Sequence, residues 1–292
     1  MTVDQTRPPH LHEILPALQR VQVDLGADLS TAALAAVAGM SPSRFHAVFR
    51  RETGETVKQH TLRLRLERAA FRLLTELTPV AAIAYDLGFG SHETFTRAFR
   101  RANGMAPSEF RTRMRPTSPL RVGSTGSSME LAAGSVSRTS AVHLQSAHLA
   151  FVRHVGPYDE VDRAAFDKLA AWTRTRRLQP LCLVGIAHDA PGITPDDRLR
   201  FDQAVQVSRP FRSTADVGHQ VLPERWSAVT SYVGPFTGLA AAYEQAFAAA
   251  AGLRGFDVIG LPVEERYLTG TLLSQQQIHT TQILIPLKRT AR

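Results

Sequence analysis

Two short stretches carry side chains of the kind that read a nucleic acid duplex. Ser43, His46, Ala47 and Arg50 stand at i, i+3, i+4 and i+7, which on a helix is one face. Fifty residues later Glu93, Thr96, Arg97 and Arg100 repeat that spacing, with His92 one residue before. An exposed helix with Arg at its middle suits a major groove. Arg97 can make a bidentate contact to guanine and Glu93 can accept from cytosine, with His92 or Thr96 assisting. Arg50, Arg51, Arg100 and Arg101 are better placed for phosphates. A different chemistry stands near the other end. In PVEERY, residues 262–267, a strand would put Val263, Glu265 and Tyr267 on one face and Glu264, Arg266 and Leu268 on the other. A carboxylate between an apolar and an aromatic neighbour is costly to bury without a partner. A ligand cation would supply one, with Tyr267 adding a cation–π surface. The plain alternative is an internal salt bridge from Glu265 to Arg266.

The elements that position the first set are themselves duplicated. SPSRFHAVFRRETG at 41–54 returns as SHETFTRAFRRANG at 91–104, with Ser, both Phe, the Arg pair and Gly in register. Such a match reads as a repeated supersecondary unit. Ser30 is a good N-cap for an Ala-rich helix over 31–38, Gly39 permits a tight turn, and Ser41 caps the next helix with Pro42 at its first position. That is helix, turn, helix. Phe45, Val48 and Phe49 fall on its core face. A longer helix follows over 57–74, with Leu62, Leu66, Ala69, Ala70 and Leu73 as its apolar stripe. Thr78–Pro79 opens the second unit, Val80–Leu87, before Gly88 and Ser91. A short last helix begins at Pro107 and ends near Met114. Upstream, apolar residues from Leu11 to Leu25 recur at helical spacing, and Pro16 predicts a kink or a later helix start. Residues 1–8 read as a disordered lead. The plain reading of the outward faces is a solvated helical bundle; the duplication, caps and turn glycines together favour DNA.

Residues 116–140 are rich in Pro, Ser, Thr and Gly and read as a flexible linker. Beyond them the texture is mixed. HLAFVRHVGPY at 148–158 resembles WSAVTSYVGPF at 226–236. Each copy is followed by an amphipathic helix, about 159–177 and 237–252. Next comes an apolar run containing Gly, near Val184–Gly185 and Ile259–Gly260, and then an alternating strand, near 201–207 and 281–287. The expected fold is therefore two domains, an all-α double helix-turn-helix at 8–115 and an α+β domain of two pseudo-symmetric β-α-β-β units at 141–289.

Bulk properties narrow the function classes. The chain has 292 residues, a hydrophobic fraction of 43% and a formal net charge of +8, enough for two cored domains. Residues 1–115 hold 16 Lys+Arg against 11 Asp+Glu, and residues 116–292 hold 18 against 15, so the positive excess is denser in the helical half. Nearly all of it is Arg, whose fork suits phosphates and guanine edges. The one cysteine, Cys182, stands in an apolar run and reads as a buried small residue. It allows no disulfide framework. The 11 His show no metal-ligand spacing, His188–Asp189 reads as an isolated pair on a loop, and no catalytic set or phosphate-cradling loop appears. No cofactor is expected. With no signal peptide or membrane-length apolar run, a cytoplasmic, nucleoid-associated protein is expected.

Residues 10–114 resemble the DNA-binding domain of the AraC/XylS transcription regulators. LAAVAGMSPSRFHAVFRRETG, LRLRLERAAFRLL and VAAIAYDLGFGSHETFTRAFRRANGMAPSEFR carry the resemblance. It implies two recognition helices joined by one rigid helix, entering adjacent major-groove segments. Base reading is carried onto Ser43, His46 and Ala47 in the first copy and His92, Glu93, Thr96 and Arg97 in the second. Ser43 and Ala47 are small for the family, so the first helix reads fewer bases or reads a thymine methyl through Ala47. Residues 140–289 resemble the GyrI-like effector-binding domain of Rob-type and BmrR-type regulators, through VGPY, LRFD, VGPF, PVEERY and TQILIPL in that order. This implies a cleft for small, often aromatic and cationic, molecules. It points to Glu265, with Tyr267, Tyr158, Trp226, Tyr232 and Phe236 as aromatic walls; packing in the core is the plain reading of each aromatic.

The expected function is a ligand-responsive transcription regulator, not an enzyme. Its partners are double-stranded DNA, a small-molecule effector and, from the family resemblance, RNA polymerase in activation; no membrane partner is expected. Two alternatives stay open. Some stand-alone GyrI-like proteins hydrolyse reactive drug-like compounds, with Glu265 then acting as general acid or base. The domain could also sequester a toxic compound without signalling.

Overall fold

The computed structural model describes residues 11–76, 78–114, 134–214, 216–259, 262–268 and 278–290. The chain divides into two compact units. The helical unit runs α1 (Leu11–Val23), α2 (Thr31–Val37), α3 (Pro42–Thr53), α4 (Val57–Thr75), α5 (Val80–Asp86), α6 (His92–Asn103) and α7 (Pro107–Met114). The caps anticipated from sequence are in place. Ser30, Ser41 and Ser91 each accept from the backbone N–H three residues on, satisfying a helix-start donor that would otherwise be orphaned. α5 begins after Pro79 without a side-chain cap. Gly39 and Gly88 close α2 and α5 at φ of +65° and +76°, a conformation with a steric penalty for any residue bearing a Cβ. In both turns the following N–H, of Met40 or Phe89, reaches back to the carbonyl of Ala35 or Ala84. The extra residue of the second turn accompanies a buried Phe89, whose ring stands 5.0 Å from that of Phe95.

The duplicated phenylalanines form the core, as their spacing requires. Phe45, Phe49, Phe95 and Phe99 are fully buried, with centroid separations of 5.5 Å within each copy. The stripe of α4 needs correction. Leu66, Ala69, Ala70 and Leu73 are buried, but Leu62 is 39% exposed, and Val57, His60, Thr61, Leu64 and Phe71 are buried instead. A connecting helix packed on more than one side does not show a single stripe, so one periodicity could not find its buried set. α1 starts at Leu11 and includes Pro16, so the later start is not taken.

The second unit runs β1 (Ser135–Val136), β2 (Ser140–Leu144), β3 (Ala147–Val155), α8 (Ala164–Thr175), β4 (Pro180–Ala187), β5 (Arg200–Val207), β6 (Gly218–Leu222), β7 (Arg225–Gly234), α9 (Leu239–Ala251), β8 (Phe256–Val258), β9 (Val263–Tyr267) and β10 (His279–Arg289). The strands form one sheet in the order β1-β7-β10-β9-β4-β5-β3-β6, with β2 also on β7 and β8 on β10. Phe166 of α8 and Leu239, Ala242, Ala246 and Ala250 of α9 pack with Phe201, Tyr232, Tyr267, Ile283 and Ile285. α8 begins later than expected, because Tyr158–Glu160 forms a 3₁₀ turn first. In the second half the strand beside β4 is β9; Ile259 follows β8 and is 39% exposed, and Gly260 lies outside the described residues. The expected lead at 1–8 and most of the expected linker, up to residue 133, also lie outside them. Within the expected linker, Ser135–Val136 pairs with Val233 and Tyr232 of β7.

Candidate functional site

On α3 the side chains of Ser43, His46, Ala47 and Arg50 are exposed, and on α6 those of His92, Glu93, Arg97 and Arg100 are exposed. Thr96 is half-buried, and its hydroxyl donates to the His92 carbonyl at 2.8 Å, so part of its capacity is spent inside the helix. Glu93 and Arg97 are one turn apart with 4.0 Å between carboxylate and guanidinium; a pair this exposed is readily exchanged for another partner. Arg51 is held by Glu52 at 2.8 Å. Arg50, Arg51, Arg100 and Arg101 all lie in the last turns of their helices, where a cation also favours the helix dipole.

In the α+β unit, strand register explains the environment of Glu265. Gln203, Gly185, Glu265, Ile283 and Thr230 are directly paired across β5, β4, β9, β10 and β7, so their side chains share a face. Ile283 places that face in the core beneath α8 and α9. Glu265 is 5% exposed. Tyr243 of α9 donates to its Oε1 at 2.5 Å, and Tyr267 donates to its Oε2. Burial and then the Glu265 charge push both phenols well above their ordinary range, so both stay neutral donors. No Lys, Arg or His pairs with Glu265 among the described residues. The salt bridge considered from sequence does not form: Arg266 lies on the opposite face and bonds Glu264 at 2.8 Å, together with Arg225.

The aromatic candidates separate. The Phe236 ring stands 5.9 Å from that of Tyr267, and the Arg163 guanidinium lies 3.8 Å over it. Tyr158 is beside Phe201, at 5.7 Å, but its hydroxyl is occupied by the carbonyls of Asp189 and Arg200, at 2.8 and 3.1 Å. The Tyr232 hydroxyl is likewise spent on the Pro235 carbonyl at 2.8 Å. Trp226 pairs with Leu287 while Glu265 pairs with Ile283, a separation of roughly 13 Å along the strand. Its ring packs on Phe256 and His143 at 5.1 and 4.9 Å. Sequence reasoning missed Tyr243 and Arg163. Tyr243 had a signal: it interrupts the alanines of LAAAYEQAFAAAA, where a phenol on a sheet-packed helix needs a buried partner.

His188 and Asp189 are not an isolated loop pair. Both are buried, and LRFD supplies their partners. Arg200 grips Asp189 through Nε at 2.9 Å and Nη2 at 2.6 Å. Asp202, with no exposed surface, accepts from Arg153 at 2.6 and 2.8 Å and from His188 at 2.8 Å. Neither Asp pairs with a close sequence neighbour: Asp189 meets Arg200 eleven residues on, and Asp202 meets Arg153 and His188 across 49 and 14 residues. Cys182 is half-buried rather than buried, and burial raises its thiol pKa, which keeps it protonated. No group of three or more His, Cys, Asp or Glu able to hold a metal is present, and no helix is long and apolar enough to cross a membrane, among the described residues.

Comparison with known proteins agrees with this division. Residues 34–113 match the family described as "Helix-turn-helix domain", and residues 139–288 match "GyrI-like small molecule binding domain". The RCS-specific HTH-type transcriptional activator RclR of Escherichia coli is 34% identical over 110 residues, covering 37% of this chain and 39% of that protein. The regulatory protein SoxS of Salmonella typhimurium is 31% identical over 105 residues, covering 36% of this chain and 98% of that protein. The first curated relatives are therefore matched over less than two fifths of their length, at 36% and 39%. The solved EcmrR–DNA complex in EcmrR-RPo is similar at 15% identity with a TM-score of 0.42, covering 52% of this chain and 57% of that one. Nearly all of SoxS is matched, the helix-turn-helix match lies in the helical unit and the GyrI-like match spans the sheet unit: the chain belongs to the AraC-type DNA-binding transcription regulators and carries a GyrI-like small-molecule-binding domain.

Proposed function

We propose that this regulator senses a small aromatic cation at Glu265 and activates transcription through RNA polymerase. The observation that carries the ligand reading is a buried carboxylate whose described partners are two neutral phenols. Hydrogen bonds satisfy its oxygens, but among the described residues its charge has no direct ionic partner, the Arg163 guanidinium standing over Phe236 and beside Tyr267 instead, and a ligand cation lying against Tyr267 would supply one. The pseudo-symmetry read from the two VGP repeats supports an asymmetric site on a near-symmetric frame. β4 and β9 pair at the middle of the sheet, and Gly185 stands opposite Glu265. A Cβ at Gly185 would come within 2.7 Å of the Tyr267 hydroxyl, so one half contributes space and the other charge. We further propose that the domains run 8–115 and 141–289 with a linker between them, the last part of which contributes the short strand Ser135–Val136 to the sheet. Enzymatic use of Glu265 receives little support, since its hydrogen-bond partners among the described residues are two phenols and no second carboxylate or histidine bonds it there. Incubation of the protein with aromatic cations, followed by mass analysis, should return the compounds unchanged.

On DNA, we assign base reading to Ser43, His46, Ala47, His92, Glu93, Thr96 and Arg97, and phosphate contact to Arg50, Arg51, Arg100 and Arg101. Arg97→Ala should reduce affinity for a selected site by about 1–3 kcal/mol and relax the preference at one base pair. Arg50→Ala should weaken all sequences alike and reduce the salt slope by about 1. Competition binding against single-base variants, repeated over a salt series, separates the two effects; undiminished selectivity in Arg97→Ala would remove α6 from the reading face.

A further inference from the structure

The two helix-turn-helix copies are joined by α4, and a second connection runs beside it. Arg65, midway along α4, donates through Nε to the Leu25 carbonyl at 2.9 Å and through Nη1 to the Gly88 carbonyl at 3.0 Å. Leu25 lies in the loop leading into the first copy, and Gly88 is the turn of the second. The loop and turn are closely fitted. A Cβ at Gly26 would stand 2.6 Å from the Asp86 carbonyl oxygen, and one at Gly88 would stand 2.6 Å from Arg65 Nη2. Asp24 holds the loop shape by accepting from the N–H groups of Gly26 and Ala27 at 2.9 and 3.2 Å. Arg72 adds an ion pair to Asp86 at 3.0 Å.

A single helix fixes the distance between two attached units but restrains less firmly their rotation about its axis. Two carbonyls, one from the loop entering the first copy and one from the turn of the second, gripped by one planar guanidinium, restrain that rotation, because the fork's donor directions are fixed. The readout that depends on it is spacing. One extra base pair between two contacted segments moves them apart by about 3.4 Å and rotates them by roughly 35°.

We propose that Arg65 is a positioning residue that sets the spacing of the two DNA segments contacted by α3 and α6. This rests on both helices engaging DNA. The test uses the full chain. Wild-type protein selects its site from random duplexes, footprinting locates the contacted segments, and templates with one base pair inserted or deleted between them are then compared. Wild type should lose at least tenfold in affinity at either altered spacing. Arg65→Met should bind the best template at least tenfold more weakly and vary less than threefold across the series. Arg65→Lys, which can reach one carbonyl at a time, should fall between. A merely destabilising effect would lower the melting temperature and leave the spacing profile as it was. A folded Arg65→Met with the wild-type profile would overturn the proposal. If Arg65→Met does not fold, Arg65→Lys decides on the same terms, a broadened profile supporting it and a wild-type profile overturning it. A wild-type footprint with one contacted segment would overturn the two-helix reading and this inference with it, whereas two segments with an unchanged variant profile would overturn the role of Arg65 alone.

Discussion

Asp202→Asn should weaken the α+β unit by about 3–5 kcal/mol, the range for removing one partner of a buried ion pair. The substitution preserves shape and removes the charge that compensates Arg153, whose side chain is 5% exposed. The Arg153 cation would then remain buried without a counterion, and the bonds from His188 and Gln220, at 2.8 and 3.3 Å, would lose their ionised acceptor. Both tryptophans, Trp172 and Trp226, lie in this half of the chain, so their fluorescence during urea unfolding of the full protein reports on this unit. An unfolding free energy within about 1 kcal/mol of wild type would show that the network contributes little.

The same network predicts acid sensitivity, and the two groups act in the same direction. His188 is held neutral, its pKa lowered first by burial. Its contribution is complete above its unfolded value, about 6.5, and is lost as pH falls below it. Asp202 has its pKa lowered against the opposing effect of burial, chiefly by the Arg153 charge and then by His188. Its contribution is present above its unfolded value, about 3.9, and is lost at lower pH. The urea midpoint should therefore begin to fall between pH 7 and 5 and fall faster below 4. In Asp202→Asn the second, steeper part should be reduced.

Glu265→Gln should reduce affinity for aromatic cations by roughly 10–100-fold, or about 1.4–2.8 kcal/mol, and leave their neutral isosteres within about threefold. A unit charge pair at 4 Å is worth about 4 kcal/mol at an effective dielectric of 20, before the cation's desolvation is subtracted. Gln keeps the volume and one acceptor for Tyr243 or Tyr267, so packing should survive. Calorimetric titration of cation and isostere against both proteins separates charge from shape. Equal losses for the two would mean that Glu265 supports the site without pairing with the ligand.

How much of this was legible in the sequence differed between the halves for a physical reason. Caps, turn glycines and the paired phenylalanines act through neighbours within a few residues, and Ser41, Gly88 and Phe95 do what their spacing implied. The face of Glu265 was legible too, because strand alternation is local. Its partners were not. Tyr243 reaches Glu265 from a helix 22 residues earlier, and Asp202 meets Arg153 across 49 residues; such pairings depend on sheet register, which local pattern does not contain. The misassigned stripe of α4 has the same origin, since a helix packed on several sides buries residues that no single period collects.

The most direct test of the account is transcription in vitro with purified RNA polymerase, from a template carrying the selected site, as an aromatic cation is titrated. Wild type should raise transcript yield with ligand, Glu265→Gln should need at least tenfold more cation for the same response, and Arg97→Ala should respond weakly at every concentration. Transcript yield that ignores cations shown to bind the protein, or that responds identically in wild type and Glu265→Gln, would contradict it.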